Sequence, residues 1–165
     1  MNNLRFRKGN LEDLSPIMDL VQRAIEKMKS QGIEQWDALY PIQEDFEADI
    51  QNEQLYVVEI DSRIGCIYTL NKEMDEAYEL VNWNDESYVV IHRLCVHPDF
   101  QHKGLAKMVM KHIMESTNSS IRLDVFSQNQ AAMNLYKHLG FTVQGEANWR
   151  KGLFYLMEYF KESRA

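Results

Sequence analysis

The residues whose types and spacing could do chemistry cluster in the run VVIHRLCVHPDFQHKGLAKMVMK, from Val89 to Lys111. Val89, Val90, Ile91, Leu94 and Val96 make a β-rich apolar stretch of the kind a buried central strand needs. Pro98 ends it, because proline has no N–H to give a strand ladder. Gln101, His102, Lys103, Gly104, Leu105 and Ala106 then lead into a helix that the spacing carries through Met114. Gly104 allows a tight turn and close approach of the backbone to a ligand, and Ala106 leaves the first helical turn uncrowded. The first N–H groups of a helix have no intrahelical partner and sit at the positive end of its dipole. The chemistry on offer is anion binding, above all of phosphate.

Other chemistries lack their residues. There is no G-x-x-x-x-G-K-[ST] and no G-x-G-x-x-G, so neither phosphate fingerprint of the common nucleotide folds is present. His97 and His102 are close in sequence but lack a clear third ligand, and no H-E-x-x-H occurs, so no metal is expected. No G-x-S-x-G elbow is found. Cys66 and Cys95 have neither metal nor redox spacing, and Cys95 reads as a small buried hydrophobe.

The elements that must position this stretch follow from periodicity. Leu4–Arg7 alternates and reads as a first strand, and Asn10 with Asp13 caps a helix whose apolar face is Leu11, Leu14, Ile17, Met18, Val21, Ala24, Ile25 and Met28, ended by Gly32. A shorter helix carries the stripe Ile42, Phe46, Ile50. Residues 55–60 and 64–70 read as a hairpin turning at Asp61-Ser62-Arg63. Residues 72–87 are polar and read as a connecting loop with at most one helical turn near Ala77–Leu80. A strand at 121–126, a short helix opened by Asn129 or Gln128 and ended by Gly140, and strands from Phe141 and from Phe154 complete the chain. Strands interleaved with helices, with hairpins at the edges, imply an α/β (α+β) chain with a mixed sheet covered by helices. With 165 residues, no repeat and no composition break, a single domain over 1–165 is expected.

Composition narrows the function classes. Hydrophobic residues at 45% and charged residues at 26% fit a globular protein and argue against disorder. A net charge of −7 disfavours wholesale nucleic-acid binding, which wants a basic balance. No apolar run approaches a membrane span, the N-terminus has no apolar signal core, and a reducing cytoplasm is the simplest location.

Two motifs then resemble a known family. Gln101-x-x-Gly104-x-Ala106 after a strand ending Val-x-Pro is similar to the pyrophosphate loop of the GNAT N-acetyltransferase superfamily, usually [QR]-x-x-G-x-[GA]. Asn129-x-x-Ala132-x-x-Leu135-Tyr136-x-x-x-Gly140-Phe141 resembles that family's second signature. One helix and one strand separate the motifs, as in the family, and the element order matches over nearly the whole chain. Gln101 stands for the commoner arginine and Ala106 for glycine, both tolerated. The resemblance implies a GNAT fold: a mixed, mostly antiparallel sheet of six to seven strands flanked by about four helices.

It also implies a reaction: transfer of the acetyl group of acetyl-coenzyme A to a primary amine of a small molecule or peptide by direct attack. Acetyl-coenzyme A would lie where the strands at 89–96 and 121–126 splay apart. Backbone groups of Leu94, Cys95 and Val96 would pair with the pantetheine amides, and N–H groups of Gln101, His102, Lys103, Gly104, Leu105 and Ala106 would hold the pyrophosphate, with Lys103 adding charge. Asn129 would contact the pantetheine arm or serve as an ordinary helix cap. Tyr136 sits at the family's position for the general acid that protonates the leaving thiolate, and would otherwise be a core tyrosine on Leu123 and Phe141. His92, on the strand face of Leu94, has the pKa range of a base that could take the ammonium proton. Glu34 and Glu79 are further bases, and Trp36 and Tyr40 would wall the acceptor site. The acceptor would enter between residues 29–41 and the acidic 72–87 loop, where Glu73, Asp75, Glu76, Glu79, Asp85, Glu86, Glu34 and Asp37 would attract a cationic amine. The alternative is a non-catalytic coenzyme A-binding sensor on the same fold. Either way no nucleic acid, membrane or metal is expected, and the protein would be a monomer or homodimer.

Overall fold

The computed structural model describes residues 3–162. Its strands are β1 (Leu4–Lys8), β2 (Leu55–Ile60), β3 (Arg63–Asn71), β4 (Tyr88–Val96), β5 (Ser120–Phe126), β6 (Thr142–Trp149) and β7 (Gly152–Tyr159). Its helices are α1 (Leu14–Ser30), α2 (Gln43–Gln51), α3 (Glu76–Glu79), α4 (Leu105–Ser116) and α5 (Gln130–His138). The strands form one mixed, mostly antiparallel sheet in the order β1-β2-β3-β4-β5-β7-β6. By contacts the chain divides into two compact units: the chain up to Leu70 with His92–Met110, and Asn71–Ile91 with the chain from Lys111 onward.

In the first unit, β1 and β2 pair antiparallel with Leu4 opposite Ile60, and β2 and β3 pair with Leu55 opposite Thr69. Asp61 and Ser62 carry the β2–β3 turn with φ of 49° and 70°, the left-handed pair that a tight hairpin needs; Arg63 is already in β3, opposite Ile60. Asn10 accepts from the Glu12 N–H at 3.0 Å, and the Asp13 carboxylate accepts from the Asn10 N–H at 2.8 Å, so the chain enters α1 through a capping box around one 3-10 turn. Ile17, Leu20, Val21 and Ala24 of α1 are buried at helical spacing against Phe46, Ile50, Leu55, Val57, Ile67 and Cys95. Burying each large side chain there contributes about 1.5–3 kcal/mol. The α2 stripe is shorter than its spacing suggested. Phe46 and Ile50 are buried, but Ile42 is the N-cap and 40% exposed, because the preceding segment joins the helix there.

In the second unit, β4 pairs in parallel with β5 over Tyr88–Val90 and Ser120–Arg122, and β7 lies antiparallel between β5 and β6. The 72–87 segment joins β3 to β4 with one helical turn, α3, where the sequence placed it, but part of it is core and not surface. Tyr78, from α3, is buried with Val90, Ala147 and Leu156, and Val81, Trp83 and Tyr88 pack on them. The Arg122 guanidinium lies 3.8 Å from the Tyr88 ring centroid and 4.6 Å from that of Trp83, and donates to the Asp85 carbonyl at 2.8 Å. Such cation–π contacts are worth about 0.5–2 kcal/mol each, more when desolvated, and Arg122 is 5% exposed. Asn84 donates through its backbone and side chain to Glu158 of β7 at 3.1 and 2.8 Å. Gly145 of β6 matters here for lacking a side chain: a Cβ would sit 2.6 Å from a Val81 methyl.

Candidate functional site

The turn into α4 is held at its start by His97 and Gln101. His97 is buried, its Nδ1 accepting the Asp99 N–H at 3.0 Å, so it caps the 3-10 turn Pro98–Phe100. Gln101 donates from its side-chain amide to the Val96 carbonyl at 3.3 Å, tying the loop to the end of β4. His102 and Gly104 then both take left-handed backbones, φ 62° and 78°. For His102 this is uncommon, and for Gly104 a β-carbon would meet nothing within 4 Å, so the turn is open on that side. The α4 ladder begins with the Met108 N–H on the Gly104 carbonyl at 3.1 Å, so the N–H groups of Leu105, Ala106 and Lys107 come before it. Leu105 is buried and anchors the helix start, while His102, Lys103 and Gly104 are exposed. The Lys103 ammonium lies 5.8 Å from the Phe100 ring centroid, at the edge of the turn.

β4 leading to this turn is not a regular strand. Arg93 has φ 51°, a left-handed residue in mid-strand, at a cost of order 1–3 kcal/mol. The irregularity interrupts the two-residue alternation of the strand at Arg93. His92 and Leu94 are half-buried and Cys95 is buried. Burial pushes the Cys95 thiol up to about 12 and the Cys66 thiol well above its ordinary value, as expected of small buried hydrophobes. Arg93 Nε and Nη2 donate to the two oxygens of Asp49, each at 2.7 Å, and Nη1 donates to the Tyr40 hydroxyl at 2.9 Å. Burial opposes the guanidinium charge, but Asp49 and the Tyr40 oxygen outweigh it and Arg93 stays charged.

Tyr40 is 39% exposed and Trp36 half-buried against the α1–α2 core, while Glu34 is exposed. Asp37 is not a free acidic wall: its carboxylate accepts from the Leu39 and Tyr40 N–H groups at 2.9 and 3.3 Å. In the second unit Glu79 is exposed at the end of α3, but Asp85, which the sequence placed on an acidic mouth, is 9% exposed and accepts from the Ser120 hydroxyl and the Ser87 N–H. Its burial removes one charge from that expected mouth. Asp75 caps α3 by accepting from the Ala77 N–H at 2.9 Å.

Asn129 caps α5, accepting from the Ala132 N–H at 3.2 Å. Tyr136, about two turns on, is 8% exposed with its ring 5.8 Å from that of Phe141. On β5, Asp124 is half-buried and accepts the Tyr78 O–H at 2.7 Å. Sequence reasoning missed Asp124, Arg93 and Asp49. The signal for two of them was a charged residue inside an apolar strand run, which must be paired when buried. Among the described residues, no group of three or more His, Cys, Asp or Glu side chains could hold a metal, and no helix is long and apolar enough to cross a membrane.

The sequence profile of the Acetyltransferase (GNAT) family matches residues 25–141, which include the left-handed turn, α4, β5 and α5. The chain belongs to the GNAT acetyltransferase family. The uncharacterized N-acetyltransferase YesJ of Bacillus subtilis is 26% identical over 145 residues, 81% of this chain and 79% of YesJ. A GNAT-family acetyltransferase of Streptococcus agalactiae superimposes with a TM-score of 0.88 at 21% identity, over 98% of both chains. The structure of yncA from Salmonella typhimurium, solved with its cofactor acetyl-CoA, gives a TM-score of 0.65 at 17% identity, over 99% of this chain and 97% of that one. The fold is thus shared over nearly the whole length of this chain.

Proposed function

We propose that this GNAT protein transfers the acetyl group of acetyl-coenzyme A to a primary amine of a small molecule or peptide. The observation that carries the reading is the turn at His102 and Gly104: two left-handed residues, no atom where a Gly104 side chain would lie, and a twelve-residue helix behind them. Those residues suit a pyrophosphate, which favours a helix N-terminus by about 0.3–1 kcal/mol per exposed contact and up to about 2 when partly buried. Gln101 to Ala106 hold the pyrophosphate, Lys103 adds charge, and backbone groups of Leu94, Cys95 and Val96 take the pantetheine amides; the Val96 carbonyl shares its capacity with Gln101.

Acetyl-coenzyme A supplies the activated acyl group as a thioester. Tyr136 delivers its hydroxyl proton to the departing sulfur; its near-complete burial and packing on Phe141 favour a fixed hydroxyl. His92 is one acceptor for the proton that the amine loses. Asp124 is a second, favoured by the Tyr78 hydroxyl that holds its carboxylate in one orientation. Trp36, Tyr40, Glu34 and Glu79 contribute to acceptor binding.

The test is acetyl-coenzyme A with a panel of polyamines, amino acids, aminoglycosides and short peptides, followed by thiol release and product mass. A general acid contributes about 10²–10⁴-fold, so a folded Tyr136→Phe enzyme should lose kcat by that factor where chemistry limits turnover. Wild-type kcat in that variant would leave Tyr136 a packing residue. Acetyl-coenzyme A binding without transfer to any amine would leave a binding module in place of an enzyme.

A further inference from the structure

Arg93 adopts its left-handed backbone inside β4 and uses its guanidinium to join three elements of the first unit. Two of its nitrogens grip the Asp49 carboxylate of α2 at 2.7 Å each. Asp49 is 5% exposed and also accepts the Thr69 hydroxyl of β3 at 2.8 Å, so the carboxylate is fixed before it meets the arginine. The remaining edge of the guanidinium meets the Tyr40 hydroxyl at 2.9 Å. A planar fork suits this task, because its donors are preset in direction.

What Tyr40 belongs to gives the arrangement its meaning. Residues 37–40 close a small turn on themselves: Asp37 and Tyr40 form an isolated β-bridge, and the Asp37 carboxylate takes the Leu39 and Tyr40 N–H groups. Trp36 packs on the α1–α2 core and Pro41 is buried, but between them Leu39 is 72% exposed and Tyr40 39%, so the tip of the turn buries little apolar area of its own. Such a segment orders itself locally but is weakly held by packing. The Arg93–Tyr40 bond ties it to a buried ion pair.

We infer that Arg93 is a positioning residue for the acceptor: it clamps Tyr40 to the Asp49–Thr69 pair and so keeps residues 36–40 a preformed wall of the acceptor site. This rests on the acetyltransfer reading above. A preformed wall spares the acceptor the entropy of ordering a loop, so the clamp acts on acceptor binding and leaves the acyl donor alone.

The experiment compares wild type with Tyr40→Phe, which keeps the ring and removes the hydroxyl, and with Arg93→Lys, which keeps a charge and loses the fork. Hydrogen exchange of the unliganded protein reads the wall, calorimetry with acetyl-coenzyme A reads the donor site, and steady-state rates with spermidine, kanamycin and an alanyl-terminated hexapeptide read the acceptor. In Tyr40→Phe, amides of residues 36–42 should exchange several-fold faster and the acetyl-coenzyme A affinity should hold. The acceptor KM should rise about tenfold with kcat little changed, the scale of one lost bond to a charged group. Arg93→Lys should show the same pattern, more strongly. Unchanged exchange at 36–42 in Tyr40→Phe overturns the clamp, and that variant still decides the matter if Arg93→Lys fails to fold. Faster exchange with an unchanged acceptor KM overturns the positioning role while wild-type turnover keeps the acetyltransfer reading. A wild-type protein that binds acetyl-coenzyme A and acetylates none of the three probes overturns the role together with that reading.

Discussion

The Tyr78 hydroxyl donates to the Asp124 carboxylate at 2.7 Å, joining the short helix α3 to the middle of β5. Tyr78 is 1% exposed, and burial, then the neighbouring Asp124 charge, pushes its phenol well above the ordinary tyrosine range. It therefore remains a donor at any working pH and holds the carboxylate it faces in one orientation. Tyr78→Phe removes that donor and should cost about 0.5–2 kcal/mol in stability. If Asp124 takes the amine proton, kcat/KM should also fall in this variant, because the carboxylate has lost the bond that held its orientation. An unchanged kcat/KM in Tyr78→Phe with a large loss in His92→Gln would assign the proton to the histidine.

Gly104 separates conformation from charge. Gly104→Ala adds a methyl into open space at φ 78°, so its penalty is backbone strain of about 1 kcal/mol, with acetyl-coenzyme A affinity only mildly reduced. Gly104→Glu adds a negative charge at the head of α4 and should weaken acetyl-coenzyme A about tenfold or more. Calorimetry on both variants checks the pair of outcomes; equal affinities in wild type and a folded Gly104→Glu protein would move the pyrophosphate elsewhere.

Acid stability should depend on Asp13. Arg7 grips its carboxylate through two bonds of 2.8 Å, and with the Asn10 N–H this outweighs burial and holds Asp13 below its ordinary 3.8. A depressed carboxylate contributes stability that is fully present above the unfolded value and is lost as pH falls through the folded one. Wild type should therefore lose Tm steeply below about pH 4. Asp13→Asn should be less stable by about 1–3 kcal/mol at pH 7 and show a shallower acid limb, readable by thermal melts from pH 2 to 7.

The two cysteines should be silent in the native state. Cys66 and Cys95 are buried, and Cys95 ionises near 12. A thiolate-selective reagent at pH 8 should label neither in folded protein and both after denaturation. Rapid labelling of Cys95 in the native protein would mean that β4 opens far more readily than its burial implies.

The parts legible in the sequence were those whose physics is local. The Asn10–Asp13 box, the Gly32 and Gly140 helix ends, the Asn129 cap and the Gly104 turn each need residues a few positions apart, and each stands where its residue types placed it. Arg93 was not legible as a left-handed residue. Nothing marks a non-glycine for that backbone until Asp49 and Tyr40, 44 and 53 positions away, are seen to hold its side chain. The 72–87 segment misled for the same reason. Asp85 counts as surface charge in a list of letters, and only its bond to Ser120, 35 positions on, makes it a buried part. Tyr136 was legible as a packed residue through Phe141, while its chemical role depends on a substrate.

Val81 fills the volume that a side chain at Gly145 would need, which makes the 72–87 segment and β6 a lock with one key. Anyone wishing to transplant that segment from a relative inherits a packaging constraint at residue 145. A donor segment with a bulkier residue at 81 would strike the β6 backbone, and one with a smaller residue would leave a hole. Loop exchange in this protein should therefore be done as a two-site swap, with residues 81 and 145 travelling together.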